Sequence, residues 1–175
     1  MHIFENRVFK YNEMNHIKLS FCFIAMLVTL AGSVCAQEVR YTDASAFPIY
    51  GKVSDNTDGL YERLPSYLQG ISRDPVWYLG RQSAGLFVRF RSNSTTISAR
   101  WESTFDNTMP HMTDTGTKGL DLYALVDGQW RHVCSAQPQG KRSERTIISY
   151  MDPIEREYML YLSLYDGVTS LGHKL

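Results

Sequence analysis

Several runs between residues 85 and 165 alternate between hydrophobic and polar positions with a period of two. GLFVRFR (85–91) sets Leu86, Val88 and Phe90 against Phe87, Arg89 and Arg91, as a half-buried strand does. TISARWE (96–102) sets Ile97, Ala99 and Trp101 against Ser98, Arg100 and Glu102. The polar turn SNST (92–95) lies between them, so the two runs are predicted to form a hairpin. LDLYALV (120–126) and QWRHVCS (129–135) flank Asp127-Gly128. An Asp-Gly pair between alternating runs predicts a second hairpin, because glycine accepts the positive φ of a tight turn. RTIISYM (145–151) and YMLYLSLY (158–165) are predicted as a further pair, interrupted at Asp152-Pro153. The last run places Tyr158, Leu160, Leu162 and Leu164 on one face.

The stretch before residue 85 is less regular. FPIYGKV (47–53) predicts a short strand, and DPVWYLGRQSAG (74–85) a strand followed by a loop. YERLPSYLQGI (61–71) has room for one turn of helix, which Pro65 keeps short. Several short strands at close intervals predict an all-β sandwich; a β-barrel shares the pattern.

The first 36 residues stand apart. Lys18 precedes an apolar run over 19–30, then Ala31, Gly32 and Ser33, and Val34-Cys35-Ala36 fits small-residue cleavage. That is the form of a secretory signal peptide, with the mature domain at 37–175 and Met14 as an alternative start. The run is shorter than the roughly 20 apolar residues a membrane span requires. Lipoprotein processing at Cys35 is the weaker alternative, since Val34 is a poor residue to precede it. Secretion or a periplasmic location is therefore expected. Outside this segment only Cys134 remains, so no internal disulfide can form. A buried strand cysteine is the preferred reading of it.

Charge narrows the functional classes. Lys+Arg and Asp+Glu both number 18, which removes the cationic surplus that nucleic-acid binding needs. Aromatic residues make up 13% of the chain, enough to furnish a core on pleated surfaces. Neither G-x-S-x-G nor Gly-Asp-Ser occurs, and no glycine-rich phosphate loop is present. His111 and His132 fall in separate segments, so no metal site is expected, and no cofactor.

Four residues carry the remaining functional readings. His111, in MPHMTDTG (109–116), is either a loop histidine hydrogen-bonded to nearby backbone or a polar group presented towards a ligand or partner. Asp121 is read first as a pin accepting N–H bonds from the preceding loop. Met109 shares the His111 loop. Trp77, Trp101 and Trp130 invite comparison with a sugar-stacking platform. Trp101 and Trp77 read as core, and Trp130, opening its strand, is the candidate for ligand stacking. Asn93-Ser94-Thr95 matches a glycosylation acceptor.

Taken in order, YERLP, VWYLGRQSAGLFVRFRSNSTTISARW, MPHMTDTG, GLDLYAL and YLSLYDGVTSL resemble the N-terminal domain of SGNH-type (GDSL-like) esterases. The family's Gly-x-Asp-Leu-Tyr signature stands here as Gly119-Leu120-Asp121-Leu122-Tyr123, and the resemblance runs over 47–171. It implies a jelly-roll-like β-sandwich placed before an α/β hydrolase domain, in secreted bacterial enzymes often linked to polysaccharide deacetylation. The catalytic serine, oxyanion donors and Asp/His pair of such enzymes belong to that following domain, and no position here matches them. The expected function is therefore that of a non-catalytic domain docking on, and supporting, an SGNH catalytic domain. His111, Asp121 and Met109 are candidates for the interdomain face or the border of the substrate cleft. A free-standing carbohydrate-binding module with polysaccharide as partner is the alternative. The ending SLGHKL reads as a break in the apolar pattern, so the sandwich is expected to lack its final strand, as a truncated or frameshifted reading frame would leave it.

Overall fold

The computed structural model describes residues 41–175. The segment read as a signal peptide, with Met14 and Cys35, lies outside them. Among the described residues no helix is long and apolar enough to cross a membrane.

Among the described residues, nine strands form two antiparallel sheets. The strands are β1 (Thr42–Asp43), β2 (Ile49–Tyr50), β3 (Phe87–Ser92), β4 (Ile97–Ser103), β5 (Leu120–Val126), β6 (Gln129–Ala136), β7 (Arg142–Ile148), β8 (Arg156–Tyr161) and β9 (Val168–Lys174). One sheet has the order β1-β9-β4-β7 and the other β2-β3-β8-β5-β6. Their inner faces meet over one core that includes Leu86, Val88, Ile97, Trp101, Leu120, Leu122, Tyr158, Leu160 and Leu171. Each such side chain contributes about 1.5–3 kcal/mol by leaving water. The Trp101 indole satisfies its N–H in the core by donating to the Lys118 carbonyl at 2.9 Å.

The Asp127-Gly128 hairpin forms as expected. Asp127 and Gly128 both take positive φ, 51° and 74°, and β5 pairs with β6. The other two hairpins do not form. β3 pairs with β2 and β8, whereas β4 pairs with β7 and β9 in the opposite sheet. β7 and β8 are likewise divided between the sheets. Alternation fixes which face of a strand is buried; it does not select the neighbour.

Two further expectations are corrected. DPVWYLG is a helix, α1 (Asp74–Gly80), with proline in its first turn where no N–H is needed. An unbroken apolar run has no period of its own, so helix and strand read alike there. Trp77 is only half-buried, and Val76, Tyr78 and Leu79 are exposed rather than core. The chain's last residues do not break the pattern either. β9 runs to Lys174 between β1 and β4, with Leu171 and His173 turned inward. His173 is 1% exposed, with its ring 4.7 Å from that of Phe47 and 5.0 Å from that of Phe90. Neither ring nitrogen has a hydrogen-bond partner among the described residues, and burial lowers the imidazole pKa.

Candidate functional site

The Gly119–Tyr123 segment enters β5 from a one-turn helix, α2 (Asp114–Lys118). Its residues have separable physical roles. A Cβ on Gly119 would stand 2.3 Å from the Thr115 carbonyl oxygen and 2.8 Å from that of Ala136, so two backbones exclude any side chain. Leu120 and Leu122 are fully buried in the core. Asp121 and Tyr123 alternate with them and face out of the five-stranded sheet.

That outer face is built in rows across the strands. Phe87, Tyr161, Asp121 and Ser135 stand side by side on β3, β8, β5 and β6. The next row is Arg89, Met159, Tyr123 and His132. A bulge after Leu122 sets His132, not Val133, opposite Tyr123. Aromatic contacts follow the rows. Tyr50 stacks on Phe87 at 5.4 Å, Phe87 meets Tyr161 at 4.9 Å, and Tyr123 stands edge-on to Tyr161 at 5.6 Å and to His132 at 5.4 Å. The Arg89 guanidinium lies 5.6 Å from the Tyr50 ring and 5.4 Å from the Trp130 ring, and pairs with Glu157.

Asp121 is thus a pin, but not of the preceding loop. Its Oδ1 accepts from the Ser135 hydroxyl at 2.5 Å, tying β5 to β6. His132 Nε2 lies 3.1 Å from Ser135 Oγ and 3.9 Å from Asp121 Oδ1. The three groups of a hydrolytic triad therefore meet in the wrong order. In a triad the imidazole stands between hydroxyl and carboxylate and uses a different nitrogen for each. Here the hydroxyl stands between and donates its hydrogen bond to the carboxylate, and both contacts fall on one imidazole nitrogen. No carboxylate on the far side of the imidazole orients it as a base among the described residues.

Asp121 and Trp130 line one open groove of about 510 Å³ with Thr115, Tyr123, Tyr161 and Leu164. His111 and Met109 are not part of it. They lie in the turn between β4 and α2, where Met109 and Met112 form an isolated antiparallel bridge. His111 is exposed, and no hydrogen bond of its side chain exists among the described residues. Its expected role as a backbone-bonded loop histidine is not met. Cys134 is half-buried and packs against the core.

Sequence reasoning missed the groups that hold this end of the sandwich. Asp166 is fully buried and accepts from the backbone N–H of Phe105 at 2.9 Å and of Asn107 at 2.7 Å. The Asn107 amide donates to the Tyr165 carbonyl, and Thr104 N–H to that of Gly167. Lys118, almost fully buried, pairs with Asp106 and, at 3.6 Å, with Asp114. Burial pushes the Lys118 pKa down, but these carboxylates outweigh it and the net shift is upward. Burial, helped by the charge of Asp43, pushes the Tyr61 phenol up to about 12. Among the described residues no three His, Cys, Asp or Glu side chains are gathered to hold a metal ion.

The family model described as GxDLY, the N-terminus of SGNH-hydrolase-type esterases, matches residues 39–172. The chain belongs to this family. A crystal structure described as a GDSL-like lipase from Bacteroides ovatus is similar to this GxDLY domain at 31% identity and a TM-score of 0.73, over 77% of this chain and 40% of that one. The chain thus spans well under half the length of that relative. A salicylyl-acyltransferase, SsfX3, from a tetracycline biosynthetic pathway aligns at 14% identity and a TM-score of 0.49, over 77% of this chain and 39% of that one. No curated protein matches the chain. The GxDLY signature is the α2–β5 junction described above: a glycine forced by close backbones, a strand-pinning acid, a core leucine and an outward tyrosine.

Proposed function

We propose that this GxDLY domain is the non-catalytic N-terminal part of a secreted SGNH-type esterase. It docks on the hydrolase domain through the end of the sandwich where α1, the 104–113 loop and the 163–167 loop meet. The observation that carries this reading is the apolar surface gathered there. Val76, Tyr78, Leu79, Leu164 and Tyr165 are 37–50% exposed, and Tyr78 packs on Phe105 at 4.9 Å. Large apolar side chains left open on a well-braced surface mark an interaction site. Asp166 and Lys118 hold the loops that present them, so the surface is formed before a partner arrives. Membership of a family defined as the N-terminus of SGNH esterases supplies the occupant. His111, on the same 104–113 loop, then faces the interdomain boundary. Catalysis rests with the hydrolase domain, because the Asp121-Ser135-His132 arrangement leaves its hydroxyl unactivated. Export follows from the 1–36 segment.

The coding DNA beyond residue 175 tests the reading first; it is expected to specify an SGNH hydrolase domain, and its absence would overturn the proposal. In the joined protein, amide exchange over 74–80, 104–113 and 163–167 is expected to slow at least about tenfold relative to the chain alone. Unchanged exchange at all three would place the interface elsewhere.

A further inference from the structure

We propose that the groove beside Asp121 binds a neutral pyranosyl unit of a glycan, with Trp130, Tyr123 and Tyr161 taking its apolar face and Asp121 its hydroxyls. The shape comes first. The groove is open, about 510 Å³, and runs along the outer face of the five-stranded sheet against α2 and Leu164. That volume suits one or two sugar rings. Tyr123 meets Tyr161 at 73°, so the two rings form a corner, and each keeps at least one face uncovered by the other. Trp130 lines the same groove, with Arg89 against its ring. Arg89 is itself paired with Glu157, so the indole is braced without adding an unmatched positive charge.

The polar chemistry then selects the ligand class. Among the described residues, Asp121 is the only charged side chain lining the groove. Its Oδ1 is held by Ser135, while Oδ2 accepts no hydrogen bond among the described residues. A fixed carboxylate with a free oxygen accepts from vicinal hydroxyls and repels phosphate, sulfate and uronate groups. Planar aromatic faces beside it suit the C–H face of a pyranose. A quaternary ammonium would also suit aromatic rings beside a carboxylate, but it has no hydroxyl to donate to the free Asp121 oxygen, and the Arg89 guanidinium already covers part of the Trp130 ring. The requirement is therefore a ligand with one apolar face, several hydroxyl donors and no charge. This binding belongs to the chain itself; the groove borders the docking end only at Leu164, and the sugar contacts proposed here use none of the other docking residues.

The test uses the full chain and neutral tetrasaccharides as probes: xylotetraose, cellotetraose and mannotetraose. Each is titrated by calorimetry and by tryptophan fluorescence up to about 5 mM, the weak end of measurable affinity. At least one is expected to bind. Trp130→Ala and Asp121→Ala are each expected to weaken it about tenfold or more, and Trp77→Ala on α1 to leave it unchanged. Asp121→Asn, which keeps an acceptor oxygen and the Ser135 contact, is expected to retain partial affinity and an unaltered melting temperature. No binding by any probe would overturn the proposal, as would equal binding by Trp130→Ala. Tighter binding of tetramethylammonium or inorganic phosphate than of every tetrasaccharide would overturn it too. Loss of sugar binding with amide protection intact at the docking end would refute this inference alone.

Discussion

Replacing Asp166 by alanine tests how the docking end is held. The carboxylate is fully buried, with the Phe105 and Asn107 N–H groups at 2.9 and 2.7 Å. Hydrogen bonds to a charged acceptor contribute about 1.5–3 kcal/mol each. Phe105 and Asn107 are only half-buried, so water recovers part of the loss, and burying the carboxylate has its own opposing cost. A net destabilisation of about 2–4 kcal/mol follows, a sizeable part of the roughly 5–15 kcal/mol that holds a domain together. For a domain of this size the melting temperature should fall by about 10 °C. Urea unfolding followed by tryptophan fluorescence should show a lower midpoint with an unchanged slope. Amide exchange at Phe105 and Asn107 should accelerate more than in β4 or β8. Asp166→Asn, keeping one acceptor, should fall between. A shift under about 2 °C for Asp166→Ala would refute the reasoning, because it would mean the 104–113 loop is held by something other than this carboxylate.

Gly119→Ala places a methyl group against two backbone carbonyls, with no flexible side chain able to yield; a loss of about 2 kcal/mol or more is expected in urea denaturation, against about 1 kcal/mol for Gly140→Ala, whose cost is backbone strain alone. The Gly140 site is open, so only its left-handed φ of 72° opposes a side chain. His173 gives an acid-sensitive term. Its folded pKa lies below the ordinary 6.5, so as pH falls below 6.5 the unfolded chain takes up a proton that the folded chain refuses. Stability then drops by up to about 1.4 kcal/mol per pH unit until the folded pKa is reached. His173→Phe should flatten that part of the profile; an identical slope would show that the imidazole is not the group responsible.

What the sequence revealed depended on whether local chemistry or distant pairing decided the outcome. The β5–β6 hairpin was readable because Asp127-Gly128 determines both turn and partner. The core positions of β3, β4 and β8 were readable because period-two alternation defines a face. The division of β3 from β4 and of β7 from β8 was not, since the same alternation serves a hairpin or a crossing between sheets. α1 was missed because four consecutive apolar residues have no period, and β9 because Gly172-His173-Lys174 looked polar although only every second side chain meets the core. Asp121 was identified as a structural pin, but its partner sits 14 residues away on the next strand, in a register that a bulge adjusts. Asp166 lay unnoticed inside an Asp-Gly pair that reads as a plain turn. Trp130 and Asp121 were singled out separately; only the fold brings them to one groove, together with Tyr123 and Tyr161.

The most direct test of the account is ester hydrolysis by the purified full chain. para-Nitrophenyl acetate should be cleaved no faster than in buffer, and Ser135→Ala should behave identically, because the Ser135 hydroxyl donates directly to Asp121, with no imidazole held between them as a base. Hydrolysis well above buffer that disappears in Ser135→Ala would contradict the account, and would make the Asp121-Ser135-His132 cluster an active site.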